Sequence, residues 1–402
     1  MKYIVLLGDG MADYPIEELG GKTPLQVAHI PAMASMAQKG QIGLVSTIPS
    51  GFTPGSDVAN LSVMGYDPAT YYPGRAALEA ASIGVKLGPQ DVAFRCNLVT
   101  FSQQGEKVIM DDYSAGHIEN EDAGRIIGEL QQRLSSEGIR FYPGVSYRHL
   151  MVWSGGRHQV ETTPPHDISG REISEYLPKG EGADILLKLM RESQDLFEKS
   201  AINQERKSSS RKPVSSIWLW GQGKAIKMPS FEEKYRLKGA VISAVDLIKG
   251  IGITIGLKPI SVPGVTGYLD TNYLGKAKYA LHALNEHDFV YVHVEAPDEA
   301  AHNGDLKAKI KAIEDFDSKV VRTVLEGIKK FPEYGVMVLP DHPTPIVKKT
   351  HTAEPVPFVI LRSEDEKTEP RAGISFDESS ASQSGLFIQK GYELMDYFIR
   401  GR

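Results

Sequence analysis

The sequence predicts an α/β fold in which a mostly parallel sheet is flanked by helices and interrupted by an inserted α+β domain with an antiparallel sheet. Residues 3–7, 288–294 and 335–339 are short segments rich in branched and aromatic side chains, typical of strands buried on both faces. Segments with helical spacing separate such strands, as in a parallel sheet. Residues 92–163 instead show the order strand, strand, helix, strand, strand, which is typical of an antiparallel α+β domain.

Length and composition limit the class of protein. The 402 residues, 41% of them hydrophobic and 24% charged, are typical of a soluble protein with two domains. We therefore predict a discontinuous core at 1–75 and 214–402 and an inserted domain at 76–213. The formal net charge of −6 disfavours nucleic acid as a partner. A single cysteine excludes a disulfide framework and a cysteine-rich zinc site.

The distribution of apolar residues along the chain indicates where in the cell we expect the protein. The apolar start runs directly into Gly8, which is too short for a signal peptide, and no run of ~18 apolar residues is present to span a membrane. We expect a cytoplasmic protein with no membrane partner. The oligomeric state stays open.

The N-terminal elements alternate strand and helix. After the strand at 3–7, the pattern predicts a helix over 23–40, a strand over 41–47 and a helix that begins near Ser56. Asp9 follows the first strand, where ligands gather in open α/β sheets. The alternative for Asp9 is a turn aspartate that caps the next segment.

Ser56 is the candidate nucleophile. A serine at a helix N-terminus lies where backbone N–H groups face an anion, and metal coordination would make its hydroxyl reactive toward phosphorus. A plain N-cap serine is the alternative. Ser62, deeper in the same helix, is less well placed for attack.

The inserted domain has its own pattern and its own polar clusters. The elements predicted after a helix at 74–81 are strands at 92–101, 107–110, 140–153 and 158–163, helices at 119–134 and 183–199, and a flexible polar linker at 204–216. The polar clusters include His117, Arg148, His149, His166 and Asp167. Arginines that fork onto a carboxylate or phosphate suit a small anionic substrate.

The alternation of strand and helix resumes after the linker. The predicted elements are strands at 217–220, 239–244, 288–294, 335–339 and 358–361, and helices at 246–256, 273–284 and 306–329. The glycines at 221–223 and 250–256 do not match a dinucleotide fingerprint, and no P-loop is present. We therefore expect no nucleotide cofactor.

Ligand-type residues follow several of these strands. Asp298 and His302 share one face if Pro297 opens a helix, although a helix N-terminal carboxylate and a surface histidine are the alternative. Further candidates are Asp9, Asp341, His342 and His351. Aspartate and histidine without cysteine suit two divalent ions such as Mn²⁺ or Zn²⁺. Two metals ~3.5–4 Å apart can clamp the attacking and leaving oxygens of a phosphoryl transfer.

As a set, these motifs resemble the alkaline phosphatase superfamily, and more narrowly its short, archaeal-type cofactor-independent phosphoglycerate mutases. The motifs that carry the resemblance are Gly8-Asp9-Gly10, Thr53-Pro54-Gly55-Ser56-Asp57, Asp298-x-x-x-His302, Asp341-His342, His351-Thr-x-x-Pro355, Ala93-Phe94-Arg95-Cys96-Asn97 and Trp218-Leu219-Trp220-Gly221. The resemblance runs nearly end to end. It implies an alkaline-phosphatase-like core and interconversion of 3- and 2-phosphoglycerate through a phosphoserine.

The resemblance also implies roles for residues. One metal would be held by Asp298, His302 and His351, and the other by Asp9, Asp341, His342 and the nucleophile Ser56. The implied ions are Mn, Zn, Co or Mg, with no requirement for 2,3-bisphosphoglycerate. The residues implied to bind substrate are Arg75, Arg95, His117, Arg148, His149, His166, Asp167 and Lys249. Closure of the insertion is expected to use hinges near 72–80 and 204–216.

Other functions stay open at this point. A phosphatase or another phosphomutase of the same superfamily would keep the metal residues and differ in the insertion. A non-catalytic metal-binding module is the alternative outside enzymes. Some relatives have been labelled homoserine kinases, but no nucleotide-binding motif supports that label.

Overall fold

The computed structural model describes residues 1–401, which form two compact units. The core unit comprises Met1–Tyr72 and the chain from Lys227 onward, and the inserted unit is Pro73–Ile226. The chain therefore passes between units at residues 72–73 and 226–227. Residues 204–216, expected to form a hinge, lie inside the inserted unit.

The structure contains the following strands and helices. The strands are β1 Lys2–Gly8, β2 Gln41–Val45, β3 Asp91–Gln104, β4 Lys107–Asp112, β5 Ile139–Val145, β6 Arg148–Ser154, β7 Ser216–Lys224, β8 Gly239–Ile242, β9 Lys258–Pro259, β10 Phe289–Val294, β11 Tyr334–Leu339, β12 Val356–Arg362 and β13 Phe387–Ile388. The helices are α1 Pro24–Val27, α2 Pro31–Lys39, α3 Ser56–Val63, α4 Pro68–Tyr71, α5 Arg75–Ser82, α6 Asn120–Arg133, α7 Ala183–Glu198, α8 Ala201–Ser208, α9 Phe231–Tyr235, α10 Asp246–Thr254, α11 Tyr273–Ala283, α12 Ala296–His302, α13 Leu306–Asp315, α14 Arg322–Gly327, α15 Glu378–Gln383 and α16 Leu394–Arg400. A π-helical segment, Phe316–Val321, joins α13 to α14.

The core unit contains the expected mostly parallel sheet. Its eight strands have the order β13-β2-β12-β11-β1-β10-β8-β9, and only β12 runs antiparallel to its two neighbours. Ile4 and Val290 pack on one face with Ala277 and Ile313 of the helices. The prediction of a mostly parallel sheet flanked by helices is confirmed.

The register of the central strands brings three loops to one edge. Leu7 of β1 is paired with His293 of β10 on one side and with Leu339 of β11 on the other. All three strands are parallel, so the residues that follow them lie at the same edge of the sheet. This edge carries Asp9 and the start of α12.

The inserted unit contains the expected antiparallel sheet. Strand β3 is paired with β4, β6 and β7, and β5 is paired with β6. Phe94 and Leu98 of β3 pack with Ile126 of α6 and Leu189 of α7 in one apolar cluster. The separate antiparallel domain is therefore confirmed.

Two predicted segments are divided in the structure. The single helix over 23–40 was wrong: α1 ends at Val27 and α2 begins at Pro31, because proline lacks an N–H and disfavours helical geometry in the residue before it. The single strand over 140–153 was also wrong. It is the hairpin β5–β6, which turns at Ser146 with φ of 56°.

Two further assignments, one in the predicted insertion and one just after it, were wrong. Residues 158–163 make only an isolated bridge, Glu161 with Lys179; Val160 is their single apolar residue, too few to form an apolar face. The segment 217–220 is a strand, as predicted. However, it lies in β7, which is paired with β3 of the antiparallel sheet, rather than in the parallel one.

The predicted flexible linker was wrong over 204–216. Residues 201–208 form α8, and the Arg206 side chain is 1% exposed. Its guanidinium donates to Asp122 and Glu119 and to the carbonyl oxygens of Ala115 and Lys212. This arginine anchors the segment inside its unit.

Candidate functional site

Three buried carboxylates lie at the sheet edge where β1, β10 and β11 end. Asp9 follows β1, Asp298 lies in the first turn of α12 after β10, and Asp341 follows β11. They are 2%, 5% and 0% exposed. Within residues 1–401 their ion-pair partners are all histidines. Three buried carboxylates without lysine or arginine partners are expected to bind cations.

The first cluster is formed by Asp298, His302 and His351. The Asp298 carboxylate lies 3.2 Å from Nε2 of His302 and 3.6 Å from Nε2 of His351. The two histidine Nε2 atoms are 2.9 Å apart. Nδ1 of His302 lies 2.9 Å from the carbonyl oxygen of Lys349, so the ring donates there and presents Nε2 to the cluster. His302 is therefore not a free surface histidine.

The second cluster is formed by Asp9, Asp341 and His342. Nε2 of His342 lies 3.5 Å from Oδ1 of Asp9 and 3.5 Å from Oδ2 of Asp341. The His342 and His351 ring centroids are 4.1 Å apart, so the two clusters adjoin. The six candidate ligands proposed from sequence are thus brought together at one place.

Ser56 lies at the same place. It is the first residue of α3, and its Oγ is 3.1 Å from Nε2 of His342. The N-cap residue is Gly55, and no side chain caps this helix. Ser56 is therefore not a plain N-cap serine, and its hydroxyl faces the second cluster.

The electrostatics of the clusters fit divalent cations. Burial, together with the neighbouring Asp341 and Asp298, raises the pKa of Asp9 well above its usual value. Burial also opposes ionisation of Asp298, but hydrogen bonds from His302 and His351 outweigh it and hold its pKa well below the usual range. Oδ1 of Asp9 is buried and has no hydrogen-bond partner in residues 1–401. An acceptor without a donor among crowded carboxylates is the environment that a metal ion satisfies.

Sequence reasoning missed four supporting residues: His293, Asn60, Tyr291 and Thr344. Nε2 of His293 lies 3.0 Å from Oδ2 of Asp9. Asn60 donates to Asp341 at 2.8 Å and accepts from the Tyr291 hydroxyl at 2.7 Å. The Thr344 hydroxyl donates to Asp298. A histidine between two valines, and an asparagine four residues after the candidate serine, were the available signals.

The inserted unit has a basic patch on the arginines proposed from sequence. Nε of Arg75 and of Arg95 lie 3.2 and 2.9 Å from the carboxylate of Glu79, and both guanidinium groups lie over the ring of Trp220. Burial, with smaller contributions from the charges of Arg75 and Arg148, lowers the pKa of Arg95 to about 10, although the nearby Glu79 carboxylate acts to raise it. Arg75 and Arg95 share one carboxylate, and the charge of Arg148 also acts on Arg95, so positive charge is in excess and the patch is suited to an anion.

An aromatic wall borders this patch. Ring centroids lie 5.4 Å apart for His166 and Trp220, 6.1 Å for Tyr113 and His166, 5.6 Å for Tyr113 and Tyr147, and 6.0 Å for His117 and Tyr147. The exposed Arg148 has its guanidinium 5.3 Å from the Tyr147 ring centroid. His166 also pairs with Asp167 at 3.6 Å. Six of the eight proposed substrate residues therefore lie on this surface.

Two proposed substrate residues lie elsewhere. His149 is 2% exposed, and its Nδ1 accepts from the backbone N–H of Gly144. Burial lowers the pKa of His149 to about 3, which suits a neutral structural side chain. Lys249 lies in α10 and pairs with Asp246 at 3.2 Å.

Known proteins match the chain from end to end. The family model described as 2,3-bisphosphoglycerate-independent phosphoglycerate mutase matches residues 37–203. A protein of Geobacter sulfurreducens named a probable 2,3-bisphosphoglycerate-independent phosphoglycerate mutase is 54% identical over 99% of this chain and 100% of its own length. The chain belongs to this family.

A further relative and two solved structures agree with this chain in length and fold. A 2,3-bisphosphoglycerate-independent phosphoglycerate mutase of Methanosarcina mazei is 52% identical over 100% of both chains. The solved cofactor-independent phosphoglycerate mutase of Thermoplasma acidophilum has a TM-score of 0.63 with 26% identity, covering 100% of this chain and 99% of that one. The PH0037 protein of Pyrococcus horikoshii has a TM-score of 0.80 with 26% identity, covering 99% and 96%.

The resemblance predicted from the motifs is therefore confirmed at the level of the cofactor-independent phosphoglycerate mutase family. In residues 1–401 of this family member, no helix is both long and apolar enough to cross a bilayer.

Proposed function

We propose that this chain is an isomerase that interconverts 3-phosphoglycerate and 2-phosphoglycerate without 2,3-bisphosphoglycerate, through a phosphoserine on Ser56. The observation that carries the proposal is the placement of Ser56 Oγ at 3.1 Å from His342, beside the Asp298 and Asp9 clusters, in a chain of this family. A role in glycolysis and a cytoplasmic location belong to the same proposal.

The proposed metal ligands divide into two sets. Asp298, His302 and His351 would hold one ion. Asp9, Asp341, His342 and Ser56 would hold the other, with Mn²⁺ and Zn²⁺ best suited to these oxygen and nitrogen donors. When bound, the two cations would stabilise charge on the phosphoryl oxygens and lower the pKa of the serine hydroxyl.

The core unit supplies the nucleophile and its orientation. Ser56 Oγ loses its proton and attacks phosphorus, and the ester bond to the 3-hydroxyl oxygen breaks. That oxygen takes up a proton in exchange for the one lost by the serine, which gives glycerate. The N–H groups of the first turn of α3 face the phosphoryl oxygens, as helix N-termini do with anions. In the second step the 2-hydroxyl of glycerate attacks the phosphoserine, which returns Ser56 to its starting form.

The inserted unit supplies the group that retains glycerate between the two steps. The arginines of its basic patch carry the charge and the forked donors that a carboxylate needs. Water that reached the phosphoserine would release phosphate instead, so retention of glycerate separates a mutase from a phosphatase.

The test is an assay of metal-stripped protein reconstituted with Mn²⁺, Co²⁺, Zn²⁺ or Mg²⁺, supplied with 3-phosphoglycerate and no bisphosphoglycerate. We expect 2-phosphoglycerate to form with at least one metal and not in the stripped protein. The Asp298→Asn variant is the matched control, because it removes one ligand charge and keeps the shape of the side chain. Release of phosphate without 2-phosphoglycerate would make the protein a phosphatase, and full activity of the stripped protein would remove the metals from the proposal.

A further inference from the structure

His293 is a polar side chain inside strand β10 that belongs to neither of the proposed ligand sets. It is fully buried, and its neighbours in the strand are apolar. It is paired in register with Leu7, two residues before Asp9, and the Asp9 N–H donates to the carbonyl oxygen of Val294 at 2.9 Å. The backbone and the side chain of Asp9 are therefore both held from β10.

A directed series of hydrogen bonds fixes the His293 ring. Nε2 lies 3.0 Å from Oδ2 of Asp9, and Nδ1 lies 3.3 Å from the hydroxyl of Ser243 at the end of β8. The Ser243 oxygen accepts from the N–H of Val245 at 2.9 Å. A metal-bound carboxylate only accepts, so the ring proton lies on Nε2, and Nδ1 accepts the Ser243 proton.

The hydrogen bond from His293 fixes the orientation of the Asp9 carboxylate. Its Oδ2 is occupied by the His293 N–H, whereas Oδ1 has no hydrogen-bond partner in residues 1–401 and lies 3.5 Å from His342. We infer that His293 is a positioning residue that locks the Asp9 carboxylate with a single oxygen turned toward the second metal. This inference rests on the proposed metal-dependent function.

The competing role for His293 is direct metal ligation. Ligand atoms of Asp9, His293 and Asp341 lie within 4.8 Å of one another. However, Nε2 of His293 lies 3.0 Å from Oδ2 of Asp9, and an ionised carboxylate that accepts this hydrogen bond needs the proton on that nitrogen. A protonated ring nitrogen cannot bind a metal, so the geometry favours the positioning role.

The experiment compares His293→Leu with His293→Gln. Leucine fills similar space without a donor, and the glutamine amide nitrogen reaches the position of Nε2 and restores the bond to Asp9. Metal content per chain is measured, together with Mn²⁺ affinity by calorimetric titration and the melting temperature of the stripped protein. We expect the leucine variant to bind one of its two ions about 10- to 100-fold more weakly than wild type. The glutamine variant should recover most of that affinity. The metal-stripped leucine variant should melt at a temperature no lower than that of stripped wild type.

The control is His149→Leu, which removes a buried histidine of the inserted unit that has no carboxylate partner among residues 1–401. Its Mn²⁺ affinity should match wild type; a loss equal to that of His293→Leu would overturn the inference. Three other results would overturn the inference and leave the proposed function standing. They are an unchanged Mn²⁺ affinity in His293→Leu, an affinity that does not recover in His293→Gln, and a count of three ions in wild type but two in His293→Leu. Wild-type protein that binds no metal would instead remove the proposed function, and the inference with it.

Discussion

Oγ of Ser56 lies 3.1 Å from Nε2 of His342, at the first turn of a helix whose N-cap is a glycine. The other ring nitrogen of His342 lies 3.2 Å from the Thr344 hydroxyl, so the ring is held from both sides. A serine used as a helix cap would turn its oxygen toward its own backbone N–H groups. This serine instead turns toward the carboxylate and imidazole clusters.

Ser56→Ala should abolish formation of 2-phosphoglycerate, because no hydroxyl remains to accept the phosphoryl group. Ser62→Ala is the matched control: it lies on the same helix, but its hydroxyl is fully buried and without a hydrogen-bond partner in residues 1–401. Its activity should stay close to wild type. Mass spectrometry of enzyme quenched during turnover should find phosphate on Ser56, and phosphate on Ser62 would refute the assignment.

The candidate metal ligands were predictable because each carries a local signal. Asp9, Asp298 and Asp341 follow apolar strands, and parallel strands end at one edge of a sheet. The signals of His293 and Asn60 are weaker, since one lies inside a strand and the other inside a helix, and their roles depend on partners 284 and 281 residues away in the chain. The sequence around Arg206 is polar and rich in serine, so it predicts a linker. Only the carboxylates of α6 and its preceding turn show that it is an anchor.

Arg206→Ala should destabilise the inserted unit. The arginine is buried against Asp122, and breaking a buried ion pair costs about 3–5 kcal/mol. Arg211→Ala is the control, because Arg211 contacts the same carboxylate with a side chain 37% exposed, and should cost about 1 kcal/mol or less. All three tryptophans, at 153, 218 and 220, lie in this unit, so urea unfolding followed by tryptophan fluorescence reports on it directly. Equal losses in the two variants would contradict the anchoring role.

The His302–Asp298 pair should give the metal-free protein a specific pH dependence. Burial disfavours the charged ring, but Asp298 outweighs it and raises the pKa of His302 to about 9. Because this pKa lies above the unfolded value of about 6.5, the pair contributes its full stability below that pH and loses it as pH rises through about 9. In chelator, the stability difference between wild type and His302→Gln should therefore shrink over this window.

The histidine itself can be followed in the same experiment. Ring-proton NMR of metal-free protein should show His302 titrating well above an ordinary histidine, and Asp298→Asn should bring its pKa down, because the charge that raises it is gone. If the stability difference between wild type and His302→Gln stays constant between pH 6.5 and about 9, the His302–Asp298 pair does not form without metal.

Arg148→Ala should change how the phosphoserine is used rather than whether it forms. The guanidinium of Arg148 is exposed beside Tyr147, on the same sheet surface as Arg95 and Trp220, and we propose that it holds the carboxylate of glycerate. Loss of a charge-assisted hydrogen bond costs roughly 1.5–3 kcal/mol, or about ten- to hundredfold in glycerate retention. Formation of 2-phosphoglycerate should fall, and free phosphate should rise as a fraction of turnover.

The control for this change is Arg140→Ala, which removes an exposed arginine from β5 of the same antiparallel sheet. Both products are followed together in wild type and the two variants, with phosphoserine measured after quenching. Phosphoserine should persist in all three, because Ser56 and its ligand clusters are untouched. If glycerate escapes from the Arg148 variant, added glycerate should restore part of the 2-phosphoglycerate by returning to the phosphoenzyme. If the ratio of free phosphate to 2-phosphoglycerate is unchanged in Arg148→Ala, or changes equally in Arg140→Ala, other residues hold glycerate. The proposals for the nucleophile and the metal ligands would not be affected.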